Sequence, residues 1–412
     1  MNIKLKIILF SILISVSSLS VGVDNGTWTY DINSDGTSVT LTGTSEDLTS
    51  PNLDIPDSID GYRVTIIGRG AFQGKTLTSL TLPDGLVTIQ ADAFLRNNIA
   101  ELTIPESLET IERQAFSRNK LVNLIIPDDI VIHIGTGAFS YNELESVNLH
   151  DGVYLLSNNN SNSGVFSNNR LFSITIPTSW TYIPSGYFAS NLINSLTIPN
   201  NIQTINSGAF YSNKLISITI PDKVLEIQPT SFANNQLTGV SFLAGSLMSI
   251  GDRAFFNNRL TSIVLPVCSI GPGNCKPMTI GSNAFQGNRL TRVDLSDRNT
   301  VIMPEVFKDN LLANVIIPEY VTKIHHEAFA NNELVQVQFK GDRPDLSEGN
   351  SSRPFLNNNI NKITYCAGKE YWPGSPIESV TAQMDCDADG VWDGGDAFPN
   401  DPLEQYDSDY DG

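Results

Sequence analysis

Histidine and cysteine occur only four times each among 412 residues, which leaves little from which to build a metal centre or a thiol nucleophile. The histidines, His133, His150, His325 and His326, show neither a His-x-x-x-His spacing nor a glutamate-adjacent zinc spacing, so none is expected to hold a metal. No nucleophile elbow, glycine-rich phosphate loop or Cys–His pairing is present either, and the chain reads as a non-enzyme. Basic residues are outnumbered, 25 Lys and Arg against 44 Asp and Glu, for a net charge of −19. Such a surface repels a phosphate backbone and argues against nucleic acid as a partner. Long apolar runs are missing as well: past the first residues nothing approaches ~18 consecutive apolar side chains, so no membrane span is expected.

What the amino terminus does have is a short apolar block, Ile7 to Val16, behind Lys4 and Lys6 and ahead of Ser17, Ser18, Ser20 and Gly22. A basic start, a brief apolar core and small residues at the exit make residues 1–22 a signal peptide, and place the mature protein in the secreted or cell-surface compartment. Cysteines can pair there, and four allow three connectivities. Cys268 and Cys275 share one short insertion, which favours joining them and leaves Cys366 with Cys386; four free thiols are the alternative.

The organisation comes from an internal repeat. Ile111 to Pro127 reads IERQAFSRNKLVNLIIP and Ile205 to Pro221 reads INSGAFYSNKLISITIP. The marker phenylalanine recurs at 72, 94, 116, 139, 166, 188, 210, 232, 255, 285, 307, 329 and 355, and nine of the twelve gaps are 22 or 23 residues. A period in this range means stacked coils, each too small to bury its own Phe and Leu without a neighbour. After each Phe the apolar residues alternate, as in Leu121, Leu124 and Ile126, which predicts one short strand per copy, often closed by a proline that cannot donate to a ladder. Three residues after every marker except the first, where Lys75 stands, is an asparagine, among them Asn97, Asn119, Asn142 and Asn213. An amide can bond backbone groups that a coil leaves unpaired at its corner, so these are expected to be structural. No stacked column of Asp or Glu is evident that would suggest polysaccharide cleavage.

The Gly-Ala-Phe turn, the asparagine, the paired leucines and the Ile-Pro strand end resemble the BspA-type leucine-rich repeat of bacterial surface proteins. The resemblance covers 67 to about 365 and implies an α/β solenoid of about 13 coils, with short parallel strands on one face joined by tight or short helical turns. Residues 23–66, with Trp28, Tyr30 and Ile32 before an Asp35-Gly36 turn and Val39 and Leu41 after it, read as a hairpin similar to the cap ahead of such arrays. Residues 366–384 then form a C-terminal cap and linker.

Function is sought where the repeat varies. Insertions map to loops on one face of such a stack, and two are large: Asp151 to Gly164, with Tyr154 and a Ser/Asn run, and Val267 to Thr279, with both local cysteines. Positions seven and nine residues after each Phe form two outward strips, mostly Ser and Thr in the middle and longer or charged later. Arg292, Asp294, Asn314, Gln336 and Gln338 are therefore the expected ligand contacts, for an extracellular protein or glycan bound in adhesin-like fashion. The alternative is a passive surface-layer or spacer protein.

Ten of the acids lie in residues 385–412, which contain no Lys or Arg. Counting Asp385 as position 1, carboxylates fall at 1, 3, 5, 9 and 12 through Asp387, Asp389, Asp393 and Asp396, with Gly390 at 6 and the Val391 carbonyl at 7. Phe398-Pro399 and Asp401-Pro402 exclude the helix of an EF-hand. The segment resembles a thrombospondin type 3 calcium repeat, which implies Ca²⁺ as the tail's cofactor; a disordered acidic linker is the alternative. Extracellular calcium fills sites with Kd of ~10⁻⁴ to 10⁻³ M. Millimolar calcium added to a tail peptide should therefore change Trp392 fluorescence and slow proteolysis, and Asp389→Ala should abolish both responses. An unresponsive tail would be only a spacer.

Overall fold

The computed structural model describes residues 22–155, 164–243, 246–266, 277–295, 298–341, 344–346, 353–365 and the strand Ala382–Gln383. Residues 1–21, all four cysteines, most of both insertions and of 366–384, and the calcium positions Asp385, Asp387, Asp389, Val391, Asp393 and Asp396 lie outside the described residues.

Most coils contribute two strands, not one. The first precedes the marker Phe and is two residues long in most coils: Tyr182–Ile183, Thr204–Ile205, Glu226–Ile227, Ser249–Ile250 and Thr279–Ile280 pair in parallel, with the isoleucines in register and buried. The second follows the Phe, as in Ser217–Ile220, Gly239–Phe242, Asn314–Ile317 and Gln336–Phe339, again parallel and in register. In Ser217–Ile220 burial alternates residue by residue, so Ile218 and Ile220 face the core while Ser217 and Thr219 face out. The expected single strand on one face is thus corrected to two stacks of parallel strands, whose inward side chains meet in one continuous hydrophobic core.

The α/β and helical-turn expectation is also corrected, because the described residues contain no helix. The segment around each Phe cannot wind into one. Asp92 and Arg96 flank Phe94 at φ 63° and 59°, Gln114 and Arg118 flank Phe116 at 55° and 58°, and the pattern repeats along the array. Two left-handed residues four apart break right-handed winding. The amides between them turn to the next coil instead: Phe94 N–H donates to the Ala115 carbonyl at 2.8 Å and Phe116 N–H to that of Ala138 at 2.8 Å. Adjacent Phe rings stack face to face from Phe72 to Phe355, with centroids 5.1 Å apart at the closest pair, Phe94–Phe116, and 6.2 Å at the widest, Phe166–Phe188.

Beside this stack runs the asparagine ladder. Asn213 Nδ2 donates to the carbonyl of Phe210 in its own coil at 3.2 Å and of Phe188 in the coil before at 2.9 Å. Its Oδ1 accepts from the Ile193 amide at 3.1 Å. Asn97, Asn119, Asn142 and the later asparagines repeat this arrangement. At the one exception, Lys75 reaches Asp47 at 2.9 Å.

The amino-terminal hairpin closes one end. Trp28–Ile32 and Ser38–Thr44 pair antiparallel, and Ser38–Thr44 then lies parallel to Tyr62–Ile67, which leads into the first stack. Asp35 fixes the turn by accepting from the amides of Thr37 and Ser38 and from the Ser38 hydroxyl, bonds that pull its carboxyl down to about 2. Tyr30 donates to Asp60 at 2.6 Å, which pushes its hydroxyl up to about 12.

Removing a ladder amide strands a buried amide N–H and leaves two buried carbonyls without their side-chain donor. Asn213→Ala is expected to cost about 2–4 kcal/mol, while Asn314→Ala on the exposed strand face stays within ~0.5 kcal/mol. Denaturant midpoints of the two variants test this; equal losses would demote the ladder.

Candidate binding surface on the outer strand face

The outward strips are built by strand register. Ser262 and Val264 lie beside Arg292 and Asp294, Asn314 beside Gln336, and Ile316 beside Gln338. Because each strand buries alternate residues, positions seven and nine after the Phe share one face along the stack. Thr364, in register with Gln338, differs in being buried.

Arg292, Asp294 and Asn314 come together around a groove of about 480 Å³, whose lining also includes Leu295, Ile316 and Pro318. Gln336 and Gln338 sit on the next strand, half-buried. Arg292 Nε donates to Asp294 Oδ1 at 2.9 Å, and that bond raises the guanidinium's pKa. Ile316 and Val264 are 52% and 62% exposed, so apolar side chains lie among the polar ones. In the middle of the array the same face is lined by Ser173, Thr175, Ser195, Thr197, Ser217 and Thr219.

One cluster runs against the sequence reading. Glu305 and Glu327 occupy equivalent left-handed positions in adjacent coils, so carboxylates do stack. Lys308 Nζ bridges them at 3.0 and 2.6 Å, and His326 Nε2 lies 3.2 Å from Glu327. Ligand atoms of Glu305, His326 and Glu327 fall within 4.8 Å of one another. Local spacing could not reveal this group; a 22-residue offset at a fixed distance from the Phe would have. The ammonium already occupies the place between the carboxylates, which is the role a cation would fill. Tyr187 is a second surprise. It stands where most coils have Ala, fully buried edge-on to Trp180 and Phe188, and burial pushes its hydroxyl up.

Family comparison agrees with the coil geometry: the BspA type leucine rich repeat region matches over 51–160, 159–273 and 274–372, in six copies. The chain belongs to this family. No curated protein matches it. Among solved structures, a BspA-type chain of this build is similar to a leucine-rich repeat protein from Bacteroides ovatus, with 21% identity, 82% of this chain and 93% of that one covered, and a TM-score of 0.56. The pneumococcal vaccine antigen PcpA is 16% identical over 85% of this chain and 94% of its own, with a TM-score of 0.50. Both likenesses concern the fold. No helix among the described residues is long and apolar enough to cross a membrane.

The Lys308 bridge carries a pH signature. Its carboxylate partners, Glu327 first, raise the lysine's pKa above its ordinary 10.5. A raised folded pKa means that the stabilisation is complete below the unfolded value and is lost as pH rises through the folded one. Lys308→Met should therefore lower the denaturation midpoint at pH 7, and its difference from wild type should close above pH ~10.5. A difference that persists there would mean that Lys308 acts through packing of its methylenes.

Proposed function

We propose that the protein is a secreted or cell-surface binding protein that recognises an extracellular protein or glycan through the outer strand face of its repeat array. The observation that carries this reading is the groove beside Arg292, Asp294, Asn314 and Ile316. There a guanidinium, a carboxylate, an amide and an exposed aliphatic side chain converge where two neighbouring parallel sheets meet, with the Gln336 and Gln338 amides one coil away. Donors and acceptors fixed on strands, next to apolar surface, suit a ligand with mixed polar and apolar faces. Family membership supports a repeat protein built for interaction rather than catalysis, and the apolar amino terminus supports export.

Two further elements belong to this proposal on sequence grounds. The Asp385 to Asp396 spacing supports a calcium-loaded tail, and the shared insertion supports a Cys268–Cys275 disulfide, which peptide mapping of exported protein would reveal.

The mature ectodomain should bind a discrete set of ligands on glycan arrays or in pull-downs from extracellular material. Combining Arg292→Ala, Gln336→Ala and Ile316→Asp should weaken that binding by about tenfold or more without shifting the denaturation midpoint. An ectodomain that captures no ligand, together with unchanged cell attachment after deletion of the gene, would point to a passive surface layer instead.

A further inference from the structure

A second groove, of about 740 Å³, opens along the strands that precede the Phe, near the amino-terminal third of the array. Its origin is one extra residue. Phe116 and Phe139 are 23 apart, and the register shows where the addition sits. Leu108 and Ile130 make the same turn, their amides donating to Pro105 and Pro127, and Thr110 pairs with His133. One residue separates Leu108 from Thr110, but two separate Ile130 from His133. The surplus leaves Val131 on the surface, 57% exposed, while the strands on either side stay paired.

The groove so formed is acidic. Glu106, Glu109 and Asp129 line it with Val131 and His133, and no lysine or arginine does. None of the three carboxylates has a cationic partner among the described residues. By contrast, Asp92 is paired with Arg113, and Glu143 with Lys120 and Arg170, in nearby coils. Next to the groove, the His133 ring stacks on that of Tyr154 at 5.7 Å and 26°, and Tyr154 is 45% exposed. The strand Val153–Leu155 that carries Tyr154 is held by pairing with Ile132–Ile134, so Tyr154 is fixed one coil beyond the groove, on the far side of His133.

We propose that this groove receives a lysine- or arginine-bearing peptide segment of a protein partner. One cationic group lies among Glu106, Glu109 and Asp129 with its methylenes over Val131, and a second basic residue of the segment reaches the exposed Tyr154 ring one coil further on. Charge complementarity decides for this occupant. Three uncompensated carboxylates around a concave surface attract a cation, and an exposed aromatic ring adds a cation–π contact. A neutral glycan would use the ring but would leave the carboxylates without a counter-charge. The site lies on a different strand stack from the Arg292 surface and stands or falls independently of it.

The test measures binding of fluorescent tri-arginine and tri-glycine peptides to the full-length chain by anisotropy, at an ionic strength of about 0.1 M, where screening acts over roughly 10 Å. The acidic tail is an internal competitor, so two charge-matched triple variants are compared. One is Glu106→Gln, Glu109→Gln, Asp129→Asn; the other is Asp401→Asn, Glu404→Gln, Asp407→Asn. Tri-arginine should bind and tri-glycine should not. The groove variant should weaken tri-arginine binding by about tenfold, as the loss of three exposed ion pairs implies, and the tail variant by less than about twofold. Tyr154→Ala should weaken it several-fold, and Tyr154→Phe should restore it. Denaturation midpoints report whether each variant is folded. Absent tri-arginine binding, equal losses in the two triple variants, or displacement by a neutral oligosaccharide whose own binding ignores the three amides would overturn the proposal.

Discussion

The asparagine three residues after each phenylalanine is the contact on which the rest of the molecule depends. A coil of 22 residues turns sharply at the Phe, and each turn leaves buried carbonyls and amides with no strand partner. Burying such groups unpaired costs on the order of 1–3 kcal/mol each. One amide side chain answers two carbonyls and one amide, drawn from two successive coils, as Asn213 does for Phe188, Phe210 and Ile193. No smaller side chain carries both donors and an acceptor in so short a reach. The bond pattern also fixes the stacking offset, because the amide closes only when the next coil sits directly over the last. Ring stacking of the phenylalanines and register of both strand series follow from that offset, so the array is cooperative between neighbours.

Much of this was legible in the sequence. The Phe period located the coils, the Asn column identified the corner, and alternation after the Phe separated Ile218 and Ile220 from Ser217 and Thr219. Two features escaped. The strand before the Phe spans as few as two residues, Thr204–Ile205 for example, and alternation cannot be read from two residues. Short helical turns were expected only from the resemblance to a leucine-rich repeat. The turn's conformation is set by left-handed residues that are often not glycine, Asp92, Gln114 and Glu305 among them. Their strain is offset by hydrogen bonds to the next coil, a tertiary gain invisible to local propensity.

The same limit applies to the surfaces. Arg292, Asp294 and Asn314 could be placed on one face because they share a fixed distance from the marker Phe in adjacent copies. Glu305 and Glu327 share another such distance and would have been found by the same column reading, had it been applied before the Phe as well as after it. The acidic groove is harder. It depends on a single added residue near Val131, which by periodicity alone looks like an ordinary length variation between 22 and 23.

Stacking therefore divides the coil into positions that cannot vary and positions that can. Phe, Asn and the inward aliphatics are held by their neighbours on both sides, and a change in one copy disturbs two interfaces. Outward strand positions and loop lengths carry no such constraint. Specificity in an array of this kind has to enter through them, by side-chain choice in one groove and by a break in the period in the other. The Glu106–Asp129 groove sits at the extra residue before Phe139. The Arg292 groove instead lies between coils of regular 22-residue spacing and is set by the side chains at Arg292, Asp294, Asn314 and Ile316. A uniform stack presents the same small hydroxyl face at each step; an added residue or a change of side chain alters the surface locally.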